Sequence, residues 1–408
     1  MNARALTIGY ILLIWFVISF VTNLIGPLMP IIIQDFHLSL GLAGFLPFSF
    51  FLAYGLVSIP AGTLVEARGP RTTLLAAFGL NLLGSLAIAL KPDFVSTMGG
   101  LFVIGLGMAM LQVVINPLMR TAGGEAHFAF YSVMGQLVFG FASFVSPLVF
   151  EHLMARPGAS QETLVWVAFY WAFTILFIAL IVGTARLPLP EVELKDEEKA
   201  GGLDTYKALI RQRDVRRFFF GIVAYVGTEQ TLANWMSQFL STYHQISPTA
   251  EGASAVGAFW GLMSLGCLLG LLLLKLLDAK VVLGLFATLA LACVAAALFG
   301  PAPLALFAFP ASGFALSVMF SIIFSLGLNS VPDNHGALSG ILCTGILGGA
   351  VVPLLVGLLG DQVGLRPAMT VVFLTLGFIL SMAWWAQPLV RNETVRVSEL
   401  FKRRHATP

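Results

Sequence analysis

Glu229 is a carboxylate inside a stretch of sequence that carries no other charge. The stretch covers residues 218–240 and is long enough to span a bilayer. An ionised carboxylate at that depth is costly unless it is paired, hydrated or protonated, and acidic residues within membrane spans usually mark the pathway of a substrate or an ion. Glu229 is therefore predicted to belong to a functional site.

The chemistry open to Glu229 is of several kinds. It could accept hydrogen bonds from substrate hydroxyls, exchange a proton as a coupling group, or help to coordinate sodium. An apolar environment favours the protonated carboxyl group, which suits a proton carrier. A carboxylate among amide oxygens also resembles a site for a hard cation, which prefers oxygen ligands. A structural carboxyl group that pairs with neighbouring amides is the remaining interpretation.

Several apolar segments also carry amide side chains. Sugars present hydroxyls that both donate and accept hydrogen bonds, so a sugar site needs such side chains beside an aromatic face. The alternative for the amides is hydrogen bonding between helices, and for the tryptophans it is packing. The residues predicted to bind substrate on this reasoning are Asn23, Gln112, Asn116, Gln136, Gln230, Asn234, Trp235 and Trp260.

Enzyme chemistry has little support in the sequence. The six histidines lie near predicted loops or helix ends and form no cluster within the membrane. Cys267, Cys293 and Cys343 fall in apolar runs without metal-ligand spacing, so we expect them to be small buried core residues. No phosphate-binding GxxxxGK[ST] loop is present, which argues against an ATP-driven pump. A membrane enzyme or a transporter-like sensor is the weakest alternative, and we expect no cofactor, no metal centre and no nucleic-acid partner.

The elements that must position these residues are membrane-spanning helices. Of the 408 residues, 58% are hydrophobic and only 10% are charged, whereas a soluble domain carries about 25% charged residues. The expected fold is an all-α membrane protein in the lipid bilayer, because lipid cannot satisfy open backbone hydrogen bonds. Twelve apolar segments are predicted to be helices, at roughly 8–33, 42–64, 72–91, 98–118, 128–152, 164–186, 216–242, 253–276, 281–299, 303–329, 337–360 and 367–388.

The chain is expected to consist of two repeated halves. We predict six-helix bundles at residues 1–187 and 216–390, a cytoplasmic linker at 188–215 and a basic cytoplasmic tail at 391–408. All but three of the 22 Lys and Arg residues fall on the side of the termini, which predicts that both termini are cytoplasmic. Repeated halves place a substrate site between them, near the midplane of the membrane.

The segment GTLVEARGPR resembles the cytoplasmic loop motif of the major facilitator superfamily, G-x-L-x-D-R-x-G-x-[RK]. The glycines and the final arginine match, while a Glu stands for the usual Asp and an Ala for the usual Arg. The resemblance implies the major facilitator fold and a loop that acts as a gate; an ordinary positively charged anchor is the alternative. With the matching loop of the second half, the implied gating residues are Gly62, Glu66, Arg68, Gly69, Arg71, Asp278 and Lys280.

A narrower resemblance is to the fucose permease and glucose/galactose transporter branch of that superfamily. It is carried by Gly105-Leu106-Gly107, by Tyr225-Val226-Gly227-x-Glu229 and by Ile323-Phe324-Ser325-Leu326-Gly327. The resemblance implies a monomeric secondary transporter of the inner membrane that moves a sugar or polyol by alternating access, coupled to sodium or protons. The alternative is a carrier for another small organic solute or drug.

One departure from that branch concerns coupling. Fucose permease uses an Asp in its first helix and a Glu in its fourth, and these positions fall here on Gly26 and Gln112. Neither residue can exchange a proton at physiological pH. Glu229 is thus the deep acid left to couple transport to an ion.

Overall fold

The computed structural model describes residues 3–123, 128–156, 164–187, 189, 203–331 and 335–389. These residues fold into helices joined by short turns. The helices of the first half are α1 Ala3–Asn23, α2 Ile25–Phe36, α3 Leu40–Leu90, α4 Phe94–Gly123, α5 Phe128–Met154 and α6 Val167–Arg186. Those of the second half are α7 Leu203–Arg211, α8 Arg213–His244, α9 Glu251–Leu276, α10 Ala279–Phe299, α11 Ala302–Leu316, α12 Met319–Leu328, α13 His335–Thr344, α14 Gly348–Val363, α15 Leu365–Met369 and α16 Val371–Trp385.

Several predicted spans are interrupted helices. The first span is broken between α1 and α2, where Pro27 cannot donate a backbone hydrogen bond to the carbonyl of Asn23. The tenth is divided into α11 and α12, and a 3₁₀ turn at Gly345–Leu347 joins α13 to α14. By contrast, α3 contains two predicted spans that meet at Gly69, whose φ of 76° and ψ of 169° turn the chain back.

The predicted all-helical membrane fold is confirmed. Eleven helical segments of the described chain are long and apolar enough to cross a membrane. The seventh predicted span is the 32-residue helix α8, which is about 48 Å long at 1.5 Å per residue. Helix α8 is not among these eleven segments, because its polar side chains lower its mean hydropathy. The predicted tail and most of the first part of the predicted linker, residues 188–202, lie outside the described ranges. The rest of the linker forms the short helix α7 and the start of α8.

The turns and helix ends of the chain lie at two ends of the helical bundle. We call the end with the start of α1, the end of α6 and the end of α16 the near end. The far end holds the turn from α2 to α3, the end of α5, the turn from α8 to α9 and the end of α14. At the far end the halves pack through α2 on α8, α3 on α14 and α5 on α9.

Glycines allow this close approach. A Cβ on Gly26 of α2 would lie 2.5 Å from the carbonyl oxygen of Ala233 on α8, and one on Gly357 of α14 would lie 2.5 Å from the carbonyl oxygen of Leu40 on α3. Gly55 of α3 lies against Leu347, in the 3₁₀ turn just before α14. From the far end inwards, α3 therefore contacts α14, the 3₁₀ turn and then α13.

Candidate binding site between the two halves

Glu229 lies at the midpoint of α8, with about 24 Å of helix on one side and about 22 Å on the other. Its side chain is partly exposed, although most of its neighbours on the helix are buried. The Tyr225 hydroxyl, one turn earlier, donates a hydrogen bond of 2.7 Å to Oε1. The Gln230 amide donates a longer one, 3.4 Å, to Oε2. Each carboxylate oxygen thus accepts a hydrogen bond from α8 itself.

An aromatic surface adjoins this carboxylate. The Tyr225 ring lies 5.9 Å from the ring of Phe320 on α12, which in turn stacks on Phe324 at 5.7 Å. Both phenylalanines are partly exposed. Sequence reasoning missed Phe320, because nothing distinguishes it from the other 33 phenylalanines of the chain until α12 is packed against α8.

Cys267 of α9 also lies beside this surface. Its Sγ donates to the carbonyl of Ser317 at 3.3 Å, and the thiol is close enough to Glu229 to interact with it electrostatically. The expectation that all three cysteines are buried core residues is wrong for Cys267, which is exposed. Cys293 and Cys343 are partly buried.

The predicted amides have different environments. Gln112 of α4 is partly exposed, whereas Gln230 lies against Phe51 and Gly349 where α8 meets α3 and α14. Asn234 is buried beside Gly26, and its Nδ2 has no hydrogen-bond partner among the described residues. The side chains of Asn116 and Gln136 lie outside the described part of the structure.

Asn23 connects two helices of the first half. Its Nδ2 donates to the carbonyl of Ser19 and to Oγ of Ser143, each at 2.9 Å. Ser19 also donates to the carbonyl of Phe139 at 2.6 Å. This is the alternative foreseen for the amides, hydrogen bonding between helices, in this case α1 and α5.

The two predicted tryptophans are both buried. Trp235 is fully enclosed, and its indole N–H donates to the carbonyl of Pro353 on α14 at 3.0 Å. In this conformation it therefore has no face free for a sugar, and these contacts favour the packing interpretation. Trp260 of α9 is 5% exposed, sits edge-on to Phe259, and has an indole nitrogen without a hydrogen-bond partner among the described residues.

The motif residues of the first half stabilise that half from within. The Arg71 guanidinium donates to the carbonyls of Thr184 and Leu187, each at 3.2 Å, and to that of Ala185. These carbonyls are at the C-terminal end of α6, where helical carbonyls lack partners. Gly69 supplies the turn, which a residue with a side chain adopts only under strain.

The remaining gating residues make local contacts or have open surroundings. Arg68 is exposed, a Cβ on Gly62 would contact nothing within 4 Å, and the side chain of Glu66 lies outside the described residues. In the second half, Asp278 accepts from the backbone of Lys280 at 2.8 Å, and the Lys280 ammonium donates to the carbonyl of Trp384 at 3.4 Å. Their gating role stays a prediction.

Known proteins resemble this chain over most of its length. The sequence model of the Major Facilitator Superfamily matches residues 11–346. The chain is similar to a glucose/galactose transporter of Brucella abortus, with 30% identity over 372 residues, 87% of this chain and 88% of the relative. It is also similar to the L-fucose-proton symporter of Escherichia coli K12, with 22% identity over 398 residues and 90% coverage of both.

A solved structure shares the fold. The crystal structure of the E. coli fucose:proton symporter superposes with a TM-score of 0.66 and 18% identity, covering 95% of this chain and all of the other. Together with the match to the family over most of the helices, this indicates a multi-pass membrane carrier rather than an enzyme. The chain belongs to the major facilitator superfamily.

Proposed function

We propose that the protein is a secondary transporter that moves a monosaccharide across the inner membrane by alternating access, coupled to protons through Glu229. The observation that carries the proposal is a partly exposed carboxylate at the midpoint of α8, beside the aromatic surface of Phe320. The names of the relatives, a glucose/galactose transporter and an L-fucose-proton symporter, support the substrate class.

The site suits a sugar chemically. Glu229 has lone pairs for the hydroxyl groups of the substrate, and the rings of Phe320 and Phe324 give the flat apolar face on which a pyranose can stack. Gln112 is a further partly exposed amide. Of the other residues predicted from sequence, Asn116, Gln136, Gln230, Asn234 and Trp260 stay in the proposed site, whereas Asn23 and Trp235 are left to packing.

A proton suits Glu229 better than sodium does. Both carboxylate oxygens face hydrogen-bond donors, the Tyr225 hydroxyl and the Gln230 amide. A sodium site would need oxygen lone pairs directed at the ion. The arrangement instead stabilises an ionised carboxylate through two donors, while a proton bound to Glu229 would neutralise its charge during the conformational change. The relative named as a proton symporter supports the same ion.

The conformation suits one step of alternating access. The packing of the halves at the far end supports access to the partly exposed Glu229 from the near end. The excess of Lys and Arg on the side of the near end supports a cytoplasmic orientation for it and for both termini. The described conformation is then the one open to the cytoplasm.

Transport in proteoliposomes tests the proposal. Uptake of labelled D-glucose, D-galactose and L-fucose would be measured with a proton gradient and a sodium gradient imposed separately. We expect accumulation of at least one sugar driven by the proton gradient. In Glu229→Gln we expect accumulation to be lost while exchange of sugar across the membrane continues, because the site can still bind but cannot release a proton.

Glu251→Gln is the matched control, since Glu251 is an exposed acid in the first turn of α9. It should accumulate sugar as the wild type does. Accumulation in Glu229→Gln would refute the coupling role, and accumulation driven by sodium alone would refute the choice of ion. If no sugar is taken up or competes, the substrate class is wrong and another small organic solute must be sought.

A further inference from the structure

Asp361, at the far end of α14, binds the start of a helix in the other half. Its Oδ1 accepts from the backbone N–H of Leu40 at 2.7 Å, and its Oδ2 accepts from that of Gly41 at 2.8 Å. The first amides of a helix have no partner within the helix and carry its positive dipole end, so a carboxylate there is favourable. Ser39, which immediately precedes α3, accepts a hydrogen bond from the next free amide of that helix, the N–H of Leu42, at 3.2 Å.

The contact depends on a glycine. A Cβ added to Gly41 would lie 2.6 Å from the Asp361 carboxylate oxygen and 3.0 Å from a methyl group of Leu358. A side chain at position 41 would therefore push α3 away from α14. The start of α3 is shaped to receive this carboxylate.

A second acid makes the reciprocal contact at the opposite interface. Glu151, near the end of α5, accepts a hydrogen bond of 2.6 Å from the hydroxyl of Ser254 in the first turns of α9. Asp361 belongs to the second half and reaches the first, whereas Glu151 belongs to the first half and reaches the second. Both acids lie at the far ends of helices in corresponding places of the two halves, and both partners lie at helix starts.

We propose that Asp361 and Glu151 form a pair of carboxylate latches, related by the repeat of the two halves, that stabilise the far end in its closed state. Both contacts join groups on different halves, so both are broken when the halves separate at that end. They stabilise the closed conformation relative to the one open at the far end and do not contribute to the fold of either half. The proposal does not depend on the identity of the solute.

The separation of the halves can be measured by double electron–electron resonance. Leu42 directly follows Gly41, and Val363 lies two residues after Asp361 on the other side of the interface. Both are exposed and can carry spin labels on introduced cysteines. The native Cys267, Cys293 and Cys343 would first be replaced by serine.

We expect Asp361→Ala to lower the ratio of closed to open conformations about fivefold, the usual effect of removing a helix-capping side chain. Ser254→Ala should also lower this ratio. In the double variant the ratio should fall by the product of the two single factors, because the two contacts are at separate interfaces.

Asp93→Ala is the matched control. Asp93 caps the start of α4 by accepting from the backbone of Ser96 at 2.7 Å, a hydrogen bond that lowers the pKa of the Asp93 carboxyl group. Both partners belong to the first half, so this variant should leave the distance distribution unchanged. The proposal is overturned if Asp361→Ala and Ser254→Ala both give the wild-type distribution, or if Asp93→Ala shifts it as much as they do.

Discussion

Gly26 is the position where a single methyl group should change the balance of conformations. Its α-carbon on α2 faces the backbone of α8 in the other half. A Cβ there would lie 2.5 Å from the carbonyl oxygen of Ala233, 3.2 Å from its carbonyl carbon and 3.6 Å from Cα of Asn234. All three are backbone atoms in the middle of a helix, so no side chain can move aside.

The size of the effect follows from these distances. Ordinary contact with the oxygen begins at about 3.4 Å, so α2 must retreat from α8 by about 0.9 Å. Overpacking of this kind costs about 1–3 kcal/mol. The cost applies only where α2 and α8 are in contact, whereas the gain in helix propensity from Gly to Ala is present in both conformations and cancels. Gly26→Ala should therefore lower the ratio of closed to open far ends by about 5- to 150-fold.

The assay is the distance distribution between spin labels at positions 42 and 363. Gly9→Ala is the control, because Gly9 lies on α1 and an added Cβ there would contact nothing within 4 Å. We expect the population of long distances to be larger in Gly26→Ala than in the wild type, and to be unchanged in the control. A wild-type distribution in Gly26→Ala would refute the argument that close backbone approach at this position stabilises the closed end.

Two further predictions concern the site and the fold. N-ethylmaleimide should modify the exposed Cys267 faster than the partly buried Cys343, and a transported sugar should slow the modification of Cys267. Equal rates of Cys267 modification with and without every sugar would contradict a substrate site beside Glu229 and Phe320. Gly69→Ala should lower the melting temperature in detergent, because a φ of 76° with a ψ of 169° is strained by about 1–3 kcal/mol for a residue with a Cβ. Gly79→Ala, where an added Cβ contacts nothing, should show no decrease, and equal decreases in both variants would contradict the explanation.

The sequence predicted the fold well because the membrane restricts the choice. Apolar segments in lipid must be helices, so hydropathy located the spans, together with the charged and turn residues between them. The interruptions were harder to place. The break near Pro27 follows from a missing backbone donor, but the division of the tenth span near Ser317 has no comparable sequence signal.

The candidate site was predicted only in part, since sequence shows which residues are polar but not which helices they face. Glu229 was identified because it is an unpaired charge in an apolar run. Trp235 and Asn23 have the same chemistry as binding residues, yet one donates to Pro353 and the other to Ser143. Phe320 was missed because the sequence does not show which of the many phenylalanines lies beside Tyr225, and that contact is what brings Phe320 to the site.

The sequence by itself determined that this is a helical membrane protein with an acid at the middle of the seventh predicted span, and it predicted two repeated halves. Those properties depend on composition, charge distribution and helical spacing, which are local or additive along the chain. The tertiary structure decided that the halves meet at the far end, through Gly26, Asp361 and Glu151. Such contacts join residues up to 321 positions apart, and a glycine or an acid in the sequence does not reveal which distant backbone it will meet.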